Sequence, residues 1–394
     1  MYKSFPKNID MDISQKYITI LGSTGSIGTQ SLDVCREQGI RVEALSAHSN
    51  VKLMEAQVRE FNPKFAALAD PIAAADLKVR LADTSVRVFA GNDGILEMIS
   101  LLDGDTVVNA IIGGAGLLPT LAIIEAGKNL ALANKESLVT AGEVVLRRAR
   151  EKGVPVLPID SEHSALFQCL MNGRREEVSR LILTASGGPF FGKKREDLMN
   201  VTREQALAHP TWKMGAKITI DSATLANKAF EMIEAAFLFD IPMDKIEVLV
   251  HRESVIHSLV EYIDGAQIAQ ISDPDMRMCI RYALSYPARA KTSAKPTNLW
   301  ERGKLTFYPP DEETFKPLRL ARYAMTEGGL LPAVFHGAND AAVELFLQNK
   351  IKFLEIADLT EEVVHTYNNV TNPDLNALLF ADADAARRVM ELAK

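Results

Sequence analysis

The chain has 394 residues, 47% of them hydrophobic and 24% charged, with 44 Lys and Arg against 51 Asp and Glu for a formal net charge of −7. Such usage belongs to an ordinary globular protein and excludes a disordered, collagenous or rod-like chain. The acidic balance argues against a nucleic-acid coat or a binder of anionic membranes, so a phosphorylated ligand has to find its donors locally.

Cys35, Cys169 and Cys279 are an odd, widely spaced set. They supply neither a disulfide framework nor a zinc ribbon and point to a reducing compartment. No apolar run reaches the roughly 18 residues that span a bilayer. Residues 1–16 are polar, lack an apolar signal core and read as a loose leader of a cytoplasmic protein.

Residues 17–159 alternate short β-branched runs with helical stretches. Strands are predicted at Tyr17–Leu21, Arg41–Ser46, Lys64–Ala69, Val86–Phe89, Thr106–Ile112, Asn129–Ala133 and Pro155–Ile159. Helices are expected between them, for example Thr29–Gln38 closed by Gly39 and Ser137–Lys152 closed by Gly153. This alternation predicts an α/β fold with a Rossmann-like, doubly wound parallel sheet. Residues 160–286 read as a central α+β catalytic domain. Its strands are expected at Val178–Thr184, Lys217–Ile220, Ile246–Val250, Ser258–Tyr262 and Gln267–Ser272, with a long helix near Ala223–Phe239 and a hairpin at Asp264-Gly265. The proline-rich stretch 287–317 reads as an extended linker. Residues 318–394, with stops at Gly328-Gly329, Asn349 and Asn372-Pro373, read as a small helical bundle.

Gly22-Ser-Thr-Gly-Ser-Ile-Gly28 follows the first strand and opens a helix. Glycines there allow a tight turn, and the helix N-terminus offers N–H groups to a pyrophosphate. The spacing is looser than GxGxxG, and a bare βα turn is the alternative. The second strand ends in Ala47-His48-Ser49-Asn50 with Lys52 beyond, and Glu43 falls in mid-strand. Donors without an acid at that strand end favour NADP over NAD.

Asp160-Ser161-Glu162 ends a predicted strand, so both acids are expected on one face of an extended segment. Glu231 shares a helical face with Asn227, beside Lys228. If the three carboxylates met, each pair at about 4 Å would repel by roughly 4 kcal/mol at a dielectric near 20. A hard divalent cation such as Mg²⁺ or Mn²⁺ would remove that cost; a solvated strand end is the alternative. Thr184-Ala-Ser186-Gly-Gly-Pro189 and the start of the long helix at Asp221-Ser222-Ala-Thr224 suit a phosphate, with Lys228 bringing charge. A bare turn and a plain N-cap are the alternatives. His209-Pro-Thr-Trp212-Lys-Met-Gly215 could form a lid.

Six stretches in order resemble the 1-deoxy-D-xylulose 5-phosphate reductoisomerase family over nearly the whole chain. They are Gly22–Gly28, Ala133-Asn-Lys-Glu-Ser-Leu-Val139, Asp160-Ser-Glu-His163, Thr184–Phe190, His209–Gly215 and Asp221–Lys228. The resemblance implies rearrangement of a phosphorylated deoxyketose followed by hydride reduction, on a small-molecule sugar phosphate, by a homodimer. It implies NADPH along Thr24, Gly25, Ser26, Ile27, Ser49, Asn50, Asn134, Glu136 and Gly215. It implies a metal, Mn²⁺ or Mg²⁺ with Co²⁺ a further candidate, on Asp160, Glu162 and Glu231, which would also act in catalysis with Lys135 and His209. Lys135, Ser161, Glu162 and Glu231 would meet the substrate's polar backbone. Ser186, Ser222, Asn227 and Lys228 would hold its phosphate, with His209 and Trp212 on the closing loop.

Two departures stand out. His48-Ser49-Asn50 replaces the family's Gly-Lys-Asn and removes a lysine from the 2′-phosphate end, and His251-Arg252-Glu253-Ser254 replaces a more usual His-Pro-Gln-Ser. His251 and His257 read as structural. The rival functions are a metal-dependent NADP oxidoreductase on another sugar phosphate and a non-catalytic dinucleotide-binding regulator.

Overall fold

The protein is described by a computed structural model over residues 13–212 and 214–394, so most of the expected leader lies outside the described residues. The chain gathers into two compact units, neither continuous in sequence. The first holds the described residues up to Asn134, Arg147–Ser164 and Asp275–Lys295; the second holds Lys135–Leu146, Ala165–Pro274 and Pro296–Lys394.

Through residue 170 the elements are β1 (Tyr17–Leu21), α1 (Ser26–Gln38), β2 (Arg41–Ala47), α2 (Val51–Phe61), β3 (Phe65–Leu68), α3 (Pro71–Arg80), β4 (Arg87–Ala90), α4 (Gly91–Ser100), β5 (Thr106–Asn109), α5 (Leu117–Glu125), β6 (Asn129–Leu132), α6 (Glu136–Lys152), β7 (Val156–Pro158) and α7 (Ser161–Leu170). The seven strands form one parallel sheet in the order β4-β3-β2-β1-β5-β6-β7. Ile18, Ile20, Val107 and Val108 are wholly buried, as strands covered on both faces require. The strand order reverses between β1 and β5, the switch point where open α/β sheets bind ligands. The glycine turn leaves β1 at that point.

Steric contact fixes two of its glycines. Gly22 has φ +80°, and a Cβ on it would lie 2.4 Å from the Ala110 carbonyl oxygen; a Cβ on Gly28 would lie 2.2 Å from the oxygen of Gly22. β5 stops at Asn109, short of the expected Ile112. The Asn109 amide donates to Gly116 O and Thr120 Oγ1, and the chain turns out into a 3-10 segment at Gly113–Gly116.

The later elements are β8 (Val178–Ala185), α8 (Arg203–Ala206), α9 (Ala216–Thr224), α10 (Ala226–Phe239), β9 (Ile246–Val250), β10 (Ile256–Tyr262), β11 (Gln267–Ile271), α11 (Met276–Ser285), α12 (Leu299–Arg302), α13 (Pro317–Glu327), α14 (Leu331–Leu347), α15 (Phe353–Thr366) and α16 (Leu375–Leu392). α11 belongs to the first unit, where it packs beside α1 and Arg281 pairs with Glu37. In the second unit a mixed sheet runs β11-β10-β8-β9. The hairpin at Asp264-Gly265 joins β10 and β11 as expected, whereas β8 and β9 are parallel. α10 packs on β8 and β9. The tail is four helices, with left-handed Asn349 and Asn372 at φ 57° and 54° in two of the expected breaks.

Lys217–Ile220, expected as a strand, lies in α9. The β-branched run is carried by a helix because Thr219 returns its hydroxyl to Gly215 O and Lys217 pairs with Asp221 one turn on. The expected long helix is two helices, broken at Leu225, whose φ is 63°. Asp221-Ser222-Ala-Thr224 therefore ends α9 instead of opening a helix, and Lys228 sits in the first turn of α10.

All three cysteines are free and buried, and burial raises their thiols to about 12, 11 and 12 at Cys35, Cys169 and Cys279. Among the described residues, no helix is long and apolar enough to cross a membrane.

Gly28→Ala should cost about 1–3 kcal/mol, the usual penalty for an overpacked site. Urea unfolding checks this, and an unchanged midpoint would refute the close approach.

Candidate active site

In the first unit the glycine turn is pinned from both sides. The amides of Gly22 and Ser23 both donate to Ser46 O at the end of β2, and Ser23 Oγ donates to Gln57 Oε1 of α2. Gly25 is the N-cap of α1 with no side chain capping it, so the first-turn N–H groups at Ser26 and Ile27 suit a pyrophosphate. Thr24 and Gly25 are half-buried and Ser26 is exposed. Asn50 caps α2 through Leu53 N, while His48 and Ser49 touch at 3.2 Å on the surface. Glu43 is accounted for elsewhere: it is buried and accepts from the amides of Asp103 and Gly104 and from Lys64. No acid of β2 competes with a 2′-phosphate at this strand end. Asn134 donates to Ile111 O and Gly113 O, fixing the loop after β5.

The acids after β7 are not extended. β7 stops at Pro158 and α7 starts at Ser161, which places Glu162 in a first helical turn and corrects the same-face strand reading. Asp160 precedes the helix, and its carbonyl receives Ser164 N. The two acids still come together, with carboxylate oxygens within 4.8 Å of each other. Ser161 Oγ donates to Glu162.

The second unit assembles the remaining candidates. Glu231, 1% exposed, is held by Lys135 Nζ at 3.0 Å on Oε1, by Lys228 on Oε2 and by the amide of Asn227. Lys135 also donates to Asn227 Oδ1 at 2.9 Å. Asn227 and Glu231 share a face of α10, as expected, and the i, i+3 spacing brings Lys228 to the same carboxylate.

Ser186, His209 and Ser222 form a triangle around one atom. His209 Nε2 lies 3.1 Å from Ser186 Oγ and 3.1 Å from Ser222 Oγ. Its Nδ1 accepts the amides of Thr211 and Trp212. Burial, aided by the charge of Arg252, pushes the imidazole below its ordinary pKa, so the ring is neutral near pH 7. With Nδ1 accepting, the hydrogen-bond network assigns the proton to Nε2. The result is a neutral donor between two hydroxyls. Gly188, at φ +65°, lets the turn after β8 approach α9: a Cβ there would meet Ser222 O at 2.8 Å. Trp212 is half-buried on the same loop, and Gly215 is the exposed N-cap of α9.

Beneath α9 lies a charge network that sequence reasoning missed, although the Lys217–Asp221 spacing was legible. Lys217 Nζ is 2.8 Å from Asp221 and 2.7 Å from Asp340; Asn339 donates to Asp221 at 2.8 Å. His336 Nδ1 lies 2.6 Å from Asp382, and its Nε2 lies 3.5 Å from Asp340. Burial alone would lower Lys217 and His336, but the surrounding acids hold Lys217 well above its usual range and raise His336 to about 9. The nearby charge of Glu136, at the start of α6, adds to the pull on Lys217. His251 and His257, read as structural, are both buried: His251 contacts Thr306 O and Val255 N, and burial lowers His257 to about 4.

Three family models match in succession. Residues 18–142 match 1-deoxy-D-xylulose 5-phosphate reductoisomerase, residues 156–239 its C-terminal domain, and residues 271–389 a further DXP reductoisomerase C-terminal domain. A relative of that name from Caldanaerobacter subterraneus subsp. tengcongensis is 52% identical over 378 residues, covering 95% of this chain and 98% of its own. The chain belongs to the 1-deoxy-D-xylulose 5-phosphate reductoisomerase family. Another reductoisomerase, from Acetivibrio thermocellus, is 50% identical over 96% of this chain and 99% of its own. The solved reductoisomerase from Zymomonas mobilis in complex with NADPH has a TM-score of 0.91 at 44% identity, covering 96% of this chain and 99% of that one. A DOX-P reductoisomerase in complex with NADPH, fosmidomycin and magnesium has a TM-score of 0.89 at 38% identity, with coverage of 96% and 98%.

The raised pKa of His336 means that its contribution to stability is complete below its ordinary 6.5 and is lost as pH rises through about 9. The unfolding free energy should fall by about 1–3 kcal/mol across that window, and His336→Gln should flatten the slope. Equal slopes in both proteins, measured by denaturant unfolding, would show that the histidine stays neutral.

Proposed function

We propose that the chain carries out its family's reaction. 1-Deoxy-D-xylulose 5-phosphate is rearranged and the resulting aldehyde reduced to 2-C-methyl-D-erythritol 4-phosphate, with NADPH and a divalent metal. The observation that carries the reading is the Ser186–His209–Ser222 triangle, an uncharged donor set suited to a phosphate, in a chain of this family. Asn227 and Lys228 complete that grip, and Trp212 on the same loop excludes water from it.

Thr24, Gly25, Ser26, Ile27, Asn134, Glu136 and Gly215 line NADPH, with Ser49 and Asn50 at its 2′-phosphate. Asp160, Glu162 and Glu231 are the metal ligands, an all-oxygen set that fits Mg²⁺ or Mn²⁺. When bound, the ion polarises the substrate carbonyl and NADPH supplies the hydride. Lys135, fixed by Asn227 and Glu231, presents an ammonium to the substrate's oxygens, where it can steady developing negative charge. Ser161 offers a hydroxyl to the same polar backbone. The phosphate grip supplies remote binding energy that orients the reacting carbons.

Homodimerisation through the mixed sheet belongs to the same reading, supported by β11 at the sheet's edge with Ile271 exposed. A cytoplasmic location is supported by the three free thiols.

The test is NADPH oxidation with 1-deoxy-D-xylulose 5-phosphate and Mn²⁺, with product analysis and a chelator control. Metal-dependent formation of the branched tetritol phosphate is expected; turnover that survives chelation would remove the carboxylates from their role. Glu231→Gln should lower kcat by about 10²-fold or more while NADPH still binds. Wild-type metal affinity in that variant would overturn the ligand assignment. Lys228→Ala should raise the substrate KM by about tenfold and leave NADPH affinity alone. Equal losses in both would mark Lys228 as a fold residue.

A further inference from the structure

The turn after β8 meets His209 and α9: Ser186 Oγ lies against His209 Nε2, Gly188 sits close to Ser222 O, and Gly188 N donates to Ser186 Oγ at 3.2 Å. Its carbonyls must then be satisfied from elsewhere. One side chain does this. Arg252 Nη1 donates to Ser186 O at 2.6 Å and to Gly188 O at 2.8 Å. The guanidinium lies 5.1 Å from the centre of the Phe191 ring, so the same turn packs against its face. The arginine is held in turn by its neighbours. His251 stacks on Phe307 and bonds Thr306 O, while Glu253 accepts the amide and hydroxyl of Thr306.

We propose that Arg252 is a positioning residue for the substrate's phosphate, holding the Ser186–Gly188 turn by its carbonyls and placing a permanent positive charge behind it. The inference rests on the phosphate reading of the Ser186–His209–Ser222 triangle. A charge-assisted pair of bonds to two carbonyls of one turn fixes the direction of the intervening amides and of Ser186 Oγ. A guanidinium remains charged at any working pH, so its attraction for a phosphate dianion is constant, in a protein whose net charge of −7 repels one. The same charge disfavours the imidazolium form of His209 and so preserves the neutral Nε2–H donor. Arg252 bonds the Ser186–Gly188 turn and packs on Phe191, so its influence should fall on substrate affinity rather than on the chemical step.

The experiment compares wild type with Arg252→Gln, Arg252→Met, Arg252→Lys and Ser186→Ala. It reads kcat, the KM for 1-deoxy-D-xylulose 5-phosphate, the KM for NADPH and inhibition by inorganic phosphate. Arg252→Gln and Arg252→Met should raise the substrate KM and the phosphate inhibition constant together by about tenfold, with kcat and the NADPH KM within about twofold of wild type. Arg252→Lys, which keeps the charge, should recover most of that loss. Unchanged substrate KM and phosphate inhibition in both uncharged variants, with Ser186→Ala impaired, would overturn the role of Arg252 alone. No effect from any of the variants would overturn the phosphate reading itself. Parallel losses of kcat, NADPH affinity and cooperative unfolding in both uncharged variants would show that Arg252 is only a structural brace, and would equally overturn the proposal.

Discussion

A buried carboxylate has to be paired, and much of the second unit's chemistry follows from pairing one. Leaving Glu231 without partners would cost several kcal/mol. α10 solves this by presenting Asn227, Lys228 and Glu231 on adjoining turns, and Lys135 adds a second ammonium from the segment that enters α6. The solution constrains the chain upstream. Because α10 has to begin just before Asn227, the helix before it must end by Thr224, and Leu225 adopts a left-handed conformation between them. That break carries Ser222 on the last turn of α9, where its hydroxyl meets His209.

The lower layer of the same unit repeats the principle. Asp221, Lys217, Asp340, His336 and Asp382 alternate in sign through a buried to half-buried region, with Asn339 closing one carboxylate. A network of this kind favours one placement of α9 over others, since a shift would separate charges that lie within a few ångströms of each other. The turn after β1 in the first unit relies on a different constraint, the exclusion of any side chain at Gly22 and Gly28.

The parallel sheet was legible because its strands are buried on both faces and read as unbroken apolar runs, and because Gly39 and Gly153 close their helices. Local pattern failed where a residue's neighbours in space decide the outcome. Ile218, Thr219 and Ile220 have strand character, yet the Thr219 hydroxyl and the Lys217–Asp221 pair satisfy a helix. Asp160-Ser161-Glu162 carried a readable helix-start signal, an Asp before the first turn and a Glu within it, which the extended reading passed over. The convergence of Ser186, His209 and Ser222 has no local periodicity. The segments of Ser186 and Ser222 each suit a phosphate by their residues, the link to His209 comes only from family resemblance, and the fold brings the three together within the second unit. Arg252 was visible only as a departure from the family's pattern. Its two carbonyl partners lie more than 60 residues earlier in the chain, beyond the reach of any spacing rule.

The three buried cysteines have a practical consequence. A maleimide or iodoacetamide attacks a thiolate that it can reach, and each sulfur here is both enclosed and held in its protonated form. The native chain is thus a silent background for labelling. One cysteine introduced on an exposed position of the His209–Gly215 loop would become the single reactive handle, allowing a fluorophore to follow that loop during turnover without first removing any natural residue.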